Sequence, residues 1–274
     1  MKVVYFILFL FISFSVFSFD ENIKFDLSYE KGFLKILYHT IRIGETGSLF
    51  NYISQGGQEI LFPFERYAAD LYLFGANKIS FLYQPLTLNT ESHFYEDVII
   101  DGLTFPAGVN ASMKYGFPFY RTTYAYQFKL APFLELGAGL ALQLRNASII
   151  FSSADGSILT SSQNLGPVPA LHINLKYNDK GGFFAYFEAT GIYASSAIIN
   201  GANFAFEGSL LDTSLRAGMN LKTLASAFIN IRFVGGTAKG TSQYPNEKWS
   251  ESRERFTENY LALLCLSLGV KLDI

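Results

Sequence analysis

The last stretch of the chain, Tyr260 to Ile274, reads YLALLCLSLGVKLDI. Tyr260, Ala262, Leu264, Leu266, Leu268, Val270, Leu272 and Ile274 fall at alternate positions, and the interleaved set ends in Ser267, Gly269, Lys271 and Asp273. Successive side chains of a β-strand point to opposite faces, so this is a strand with one continuous apolar face and one that turns small and charged. Period alone does not say which face meets solvent or lipid. That has to come from the rest of the chain.

At the opposite end, Met1 and Lys2 precede a run from Val3 to Phe17 that is apolar except for Ser13 and Ser15, followed by Ser18. The pattern predicts a secretory signal peptide over residues 1–18, cleaved after Ser18, because about 15 apolar residues fall short of the roughly 20 that cross a bilayer as a helix. The remainder, 19–274, carries no linker or composition shift and reads as one domain. Half of the 274 residues are hydrophobic and only 16% are charged, yet beyond residue 18 no apolar run approaches helical spanning length. The hydrophobicity is therefore dispersed through alternating strands, which is how a closed barrel satisfies its backbone polar groups inside lipid. A net charge of −2 gives no electrostatic footing for nucleic-acid binding. The only cysteine, Cys265, excludes an intramolecular disulfide framework. The 28 Phe and 17 Tyr suit interfacial aromatic girdles.

Period-two segments recur at 33–46, 64–74, 78–90, 118–130, 133–151, 168–178, 182–197, 204–221, 225–238 and 256–274. In one, Leu134, Leu136, Ala138, Leu140, Leu142 and Leu144 oppose Glu135, Gly137, Gly139, Ala141, Gln143 and Arg145; in another, Ala227, Ile229, Ile231 and Phe233 oppose Ser226, Asn230 and Arg232. Tight links at 75–77, 131–132, 178–181 and 222–224 alternate with long ones at 47–63, 91–117, 152–167 and 239–255, and only 198–203 departs from the alternation. Short turns on one side and long loops on the other are the mark of a transmembrane antiparallel up-and-down barrel of about ten strands. Eight or twelve strands remain alternatives, the larger number if 94–101 and 107–115 enter the wall. A soluble barrel or sandwich with the apolar faces inward is the other reading of the same period. The bulky apolar faces and the loop alternation favour lipid outside.

These features together resemble bacterial single-chain outer-membrane β-barrel proteins. The resemblance implies residence in the outer membrane, contact with its lipid, insertion by the outer-membrane assembly machinery, and a monomer. Such chains often end in Phe, whereas this one ends in Ile274.

Candidate chemistry is sparse. The three histidines are His39, His93 and His172, and the residues two positions on are Ile41, Tyr95 and Asn174, so none builds a local His-x-Ser pair for acyl transfer. A partner on a neighbouring strand stays open. No grouped metal ligands occur, no Asp-x-Asp or adjacent Asp/His pair occurs, and Gly235–Ser242 lacks the lysine after the closing glycine of a phosphate loop. No cofactor is expected. The inward faces collect Arg66, Asp70, Arg121, Glu135, Arg145, Lys176, Glu188, Asp212, Arg216, Arg232 and Lys271 as a lumen charge network. Buried unpaired charges are costly, so salt bridges filling a narrow bore are expected, with a thin anion or small-solute conduit as the alternative. The segment 91–117 is read as an external hairpin turning at Ile100-Asp101-Gly102-Leu103, and 22–30 as an alternating fragment at the periplasmic rim. The expected role is structural or small-solute passage without catalysis; a lipid-modifying acyl hydrolase or transferase, or a surface adhesin using the aromatic-bearing loops, are the alternatives.

Overall fold

The computed structural model describes residues 23–44, 46–195, 206–221, 225–242 and 255–274. The signal segment 1–18, the links at 198–203 and 222–224, and most of the 239–255 loop with Trp249 lie outside the described residues.

The described chain is all β: β1 Ile23–Ile43, β2 Phe50–Asn51, β3 Leu61–Leu73, β4 Asn77–Gln84, β5 Thr87–His93, β6 Val98–Ile100, β7 Leu103–Phe105, β8 Asn110–Gly116, β9 Phe119–Ala131, β10 Leu134–Ser153, β11 Leu159–Asn178, β12 Phe183–Ser195, β13 Phe206–Asn220, β14 Ala225–Ser242 and β15 Arg255–Asp273. Ten of these, β1, β3, β4 and β9 to β15, pair antiparallel in that order around the wall. The ring closes where β1 runs against β15 from Asp26↔Asp273 to Ile43↔Thr257. Closure removes every free edge at the level of lipid.

The ten predicted segments map one to one onto these wall strands, with boundary corrections. The first begins at Ile23 rather than at 33, because the alternating stretch expected to pair at the rim is the start of the same strand: 23–30 pairs with β15 on one side and β3 on the other. The segment 78–90 is broken by Pro85 into β4 and β5. Proline lacks the N–H that a continuing ladder needs. The stretches 94–101 and 107–115 stay out of the transmembrane wall. In the first of them β6 pairs only with β7, across a turn in which Asp101 and Gly102 take φ of 54° and 76° as a two-residue primed hairpin requires. In the second, β8 replaces β9 as the neighbour of β10 above Ser148 and carries β5 on its far side.

The apolar faces point out. Leu140, Leu268 and Leu171 are 64%, 67% and 67% exposed on the outside of the wall. Their sequence neighbours Ala141, Ser267 and His172 are buried in the bore. Tyr29, Tyr67, Tyr83 and Tyr120 stand directly opposite one another on β1, β3, β4 and β9, with ring centroids 4.8–6.0 Å apart. Lys31 and Glu65, 3.7 Å apart, lie just beyond this row on the side of the long loops. A tyrosine row between apolar wall and ion pair is what a membrane–water boundary selects.

Two local devices set which side chains reach the bore. A bulge between Ile36 and Tyr38 switches the parity of β1, so that Glu30, Leu34 and Ile36 face inward before it and His39, Ile41 and Ile43 after it. At Gly139 an added Cβ would stand 1.8 Å from the Tyr124 carbonyl oxygen, so the wall there bends too tightly for any side chain.

Candidate functional site

The interior is built in two storeys. Toward the short turns it is ionic. Arg66 on β3 donates from Nη1 to Glu30 of β1 at 2.6 Å and from Nη2 to Glu188 of β12 at 2.8 Å, reaching across the bore. Arg216 of β13 meets the same two carboxylates, at 2.9 Å to Glu188 and 3.4 Å to Glu30. Asn230 and Ser267 add donors to Glu30 at 2.6 and 3.0 Å. Asp212 receives Arg121 Nη2 from the far wall at 2.5 Å and Arg232 Nε from the adjacent strand at 2.7 Å, while Gln143 Oε1 accepts from the same Arg121 Nη2 at 2.8 Å and from its Nε at 3.1 Å. Lys78 pairs with Asp70 at 2.9 Å. Lys271 meets Asp26 at 3.2 Å and also Asp273, at the rim.

Of the predicted inward residues, Arg66, Asp70, Arg121, Glu188, Asp212, Arg216 and Arg232 are thus drawn into one neighbourhood, with Lys271 nearer the rim. Glu135 and Lys176 face each other in register between β10 and β11. The side chain of Arg145 lies outside the described residues. Sequence reasoning missed Asp26, Glu30 and Lys78. The first two sit in the half of β1 read as a rim fragment, and Glu30, with no exposed surface, is the hub of the network. Alternation over 22–30 was the signal that could have placed it.

Toward the long loops the interior changes character. Phe50 and Tyr52 from the loop after β1 pack with Phe94, Phe105, Tyr115 and Phe151 in one buried apolar cluster. The polar lining expected along the whole bore is therefore confined to its lower part, because three loop segments fold back into the mouth and bring their own apolar faces. His39 is fully buried there, 2.7 Å from Gln58 Oε1, stacked on Tyr52 at 4.1 Å and edge-on to Tyr115 at 4.4 Å. It ties the inward-folded segment to the wall. On the loop side, the hydroxyl of Ser153 and the backbone N–H and hydroxyl of Ser157 all donate to Asp155, which holds its carboxyl down at about 2 and keeps this turn ionised and ordered.

His172 finds its hydroxyl partner across the strand pair: Nδ1 lies 2.8 Å from Thr190 Oγ1, and Asn174 is 3.3 Å from Nε2. All three are buried in the bore, away from the lipid-facing wall where acyl chains run. His93 is exposed and 2.8 Å from Asn110. Among the described residues no group of His, Cys, Asp or Glu is arranged to hold a metal.

Among solved structures the chain is similar to the outer membrane protease OmpT from Escherichia coli, with a TM-score of 0.50 and 11% identity over 93% of this chain and 97% of that one. The fold is that of a bacterial outer-membrane β-barrel. Other similar structures are a Pseudomonas aeruginosa FadL homologue, at 9% identity over 91% and 89% of the two chains with a TM-score of 0.38, and the outer membrane protein OprG from the same organism, at 10% identity over 90% and 95% with a TM-score of 0.35. No protein-family model and no curated protein sequence matches the chain. The barrel fold and the apolar outer belt together site this outer-membrane barrel in the membrane that such barrels occupy.

Proposed function

We propose that this barrel is a closed, non-catalytic structural protein of the outer membrane, presenting its folded loops at the surface and passing no steady stream of solute. The observation that carries this reading is the occupation of the bore at two levels. Arg66 to Glu188 and Arg121 to Asp212 bridge opposite walls, and above them the aromatic cluster of Phe50, Tyr52 and Phe151 occupies the mouth. Eight strands already leave an interior that side chains fill, and ten widen it only modestly, so bridges of this length span what is left. Lipid contact, assembly by the resident insertion machinery and a monomeric state complete the proposal. Purified barrel in planar bilayers is expected to give no steady conductance at moderate voltage. Stable, porin-sized steps would overturn the closed reading.

A second reading, catalysis, is favoured by a single observation, the His172–Thr190 contact at 2.8 Å. Against it, Thr190 is 1% exposed and the adjacent cavity measures only about 20 Å³, too small for an acyl chain or peptide. The contact serves instead to satisfy two buried polar groups. Ester and phospholipid hydrolysis by the reconstituted barrel is expected at background, equal in wild type and Thr190→Val. Turnover that Thr190→Val abolishes would establish the catalytic reading instead.

A further inference from the structure

We propose that the bore contains a binding site for one small monovalent anion of the halide class, in the cavity beside Arg66 and Arg121. This cavity, about 20 Å³, is enclosed by β3, β4 and β9 on one side and β11, β12 and β13 on the other. Its lining includes Arg66, Arg121, Arg216, Ser80, Thr123 and His172, together with the carboxylates Asp70 and Glu188.

Charge balance singles out an anion. Glu30 and Glu188 are each met by both Arg66 and Arg216, two negative groups against two positive. Asp70 and Lys78 are one against one. Asp212 alone serves two guanidiniums, Arg121 and Arg232. Among the described residues the mid-bore set therefore holds five cations, Arg66, Lys78, Arg121, Arg216 and Arg232, and four anions, Glu30, Asp70, Glu188 and Asp212: one positive charge in excess. Lys271 and Asp273, with Glu135 and Lys176, stand nearer the rim with partial exposure, where water screens them, and the buried Asp26 there is paired with Lys271. An uncompensated charge away from water is strongly unfavourable, and a counter-ion is the direct remedy.

Hydrogen-bonding capacity points to the same place. Arg66 is 5% exposed and spends both terminal nitrogens on Glu30 and Glu188, which leaves its buried Nε without a partner. Arg121, one of the two guanidiniums that share Asp212, lines the cavity while its fork is pinned by Gln143. The two carboxylates in the lining are already answered, Asp70 by Lys78 at 2.9 Å and Glu188 by Arg66 and Arg216 at 2.8 and 2.9 Å. Size then selects the class: about 20 Å³ accepts a water-sized species and excludes sulfate, phosphate and organic carboxylates.

The test uses the full barrel in detergent. Its unfolding midpoint is expected to rise, saturably, by about 4 °C when chloride replaces gluconate at constant ionic strength, the size of shift that a ligand at some tenfold its dissociation constant produces. Bromide-soaked crystals are expected to show an anomalous peak between Arg66 and Arg121. Arg121→Met removes the excess charge and is expected to abolish the chloride shift. Equal midpoints for wild type in chloride and gluconate, bromide confined to surface lysines, or a chloride shift undiminished in Arg121→Met would each overturn the site. If that variant does not fold, the bromide peak in wild type decides alone.

Discussion

Glu30→Ala is expected to destabilise the barrel by about 3–5 kcal/mol, because it removes the shared acceptor of two buried guanidiniums and leaves them against Glu188 alone. Glu30 has no exposed surface and accepts from Arg66, Asn230 and Ser267 as well as pairing with Arg216, so its loss strands donors on four strands at once. The measurement is urea unfolding in lipid vesicles, read by the mobility shift between folded and unfolded barrel. Glu30→Ala combined with Arg66→Ala is expected to cost less than the sum of the two single changes, since each single change leaves the other partner uncompensated. A cost for Glu30→Ala below about 1 kcal/mol would mean that water reaches and screens the network, and the closed bore would fall with it.

Leu140→Arg is expected to cost about 2–4 kcal/mol in a bilayer, the penalty of a charge near mid-membrane on the lipid face of a barrel. Leu140 is 64% exposed and lies between the strand's start at Leu134 and Leu144, the register partner of Tyr120 in the tyrosine row, on a wall that also exposes Leu142, Leu171 and Leu266. Were these residues facing water, the same change would fall within about 0.5 kcal/mol of neutral, as surface changes usually do. The sign and size of this one variant therefore separate lipid outside from solvent outside. Folding yield into vesicles and the unfolding midpoint both report it, and an unaltered midpoint would contradict the membrane assignment.

The legibility of the chain varied with how local each feature was. The wall of β10 could be read because six consecutive even positions from Leu134 to Leu144 are apolar and their neighbours are small or polar. The first strand was read short, since Lys31 interrupts the apolar run on its outer face. It sits beyond the tyrosine row, where charge meets water and headgroups. The bulge that turns His39 inward leaves no mark in composition, because it is a matter of register against β15. The hairpin at Asp101-Gly102 was visible because its two residues supply the left-handed backbone that a tight turn demands. What that hairpin packs on was not visible. The apolar residues of 91–117 pointed to exposed loops, yet Phe94, Val98, Ile100 and Phe105 are buried in the mouth with Phe50 and Tyr52.

By itself the sequence determined the two faces of each strand, and through them the all-β class; ten wall strands stood beside eight or twelve, and lipid outside rested on the bulk of the apolar faces and the alternation of loop lengths. The physical basis is that side-chain direction in a strand follows from the chain's own geometry, with period two, whatever the strand pairs with. Only the tertiary structure decided who meets whom inside. Arg66 finds Glu188 across 122 residues, Asn230 finds Glu30 across 200 and Ser267 finds Glu30 across 237. Those meetings depend on stagger, closure and the infolding of loops, which are properties of the assembled ring that no single strand encodes.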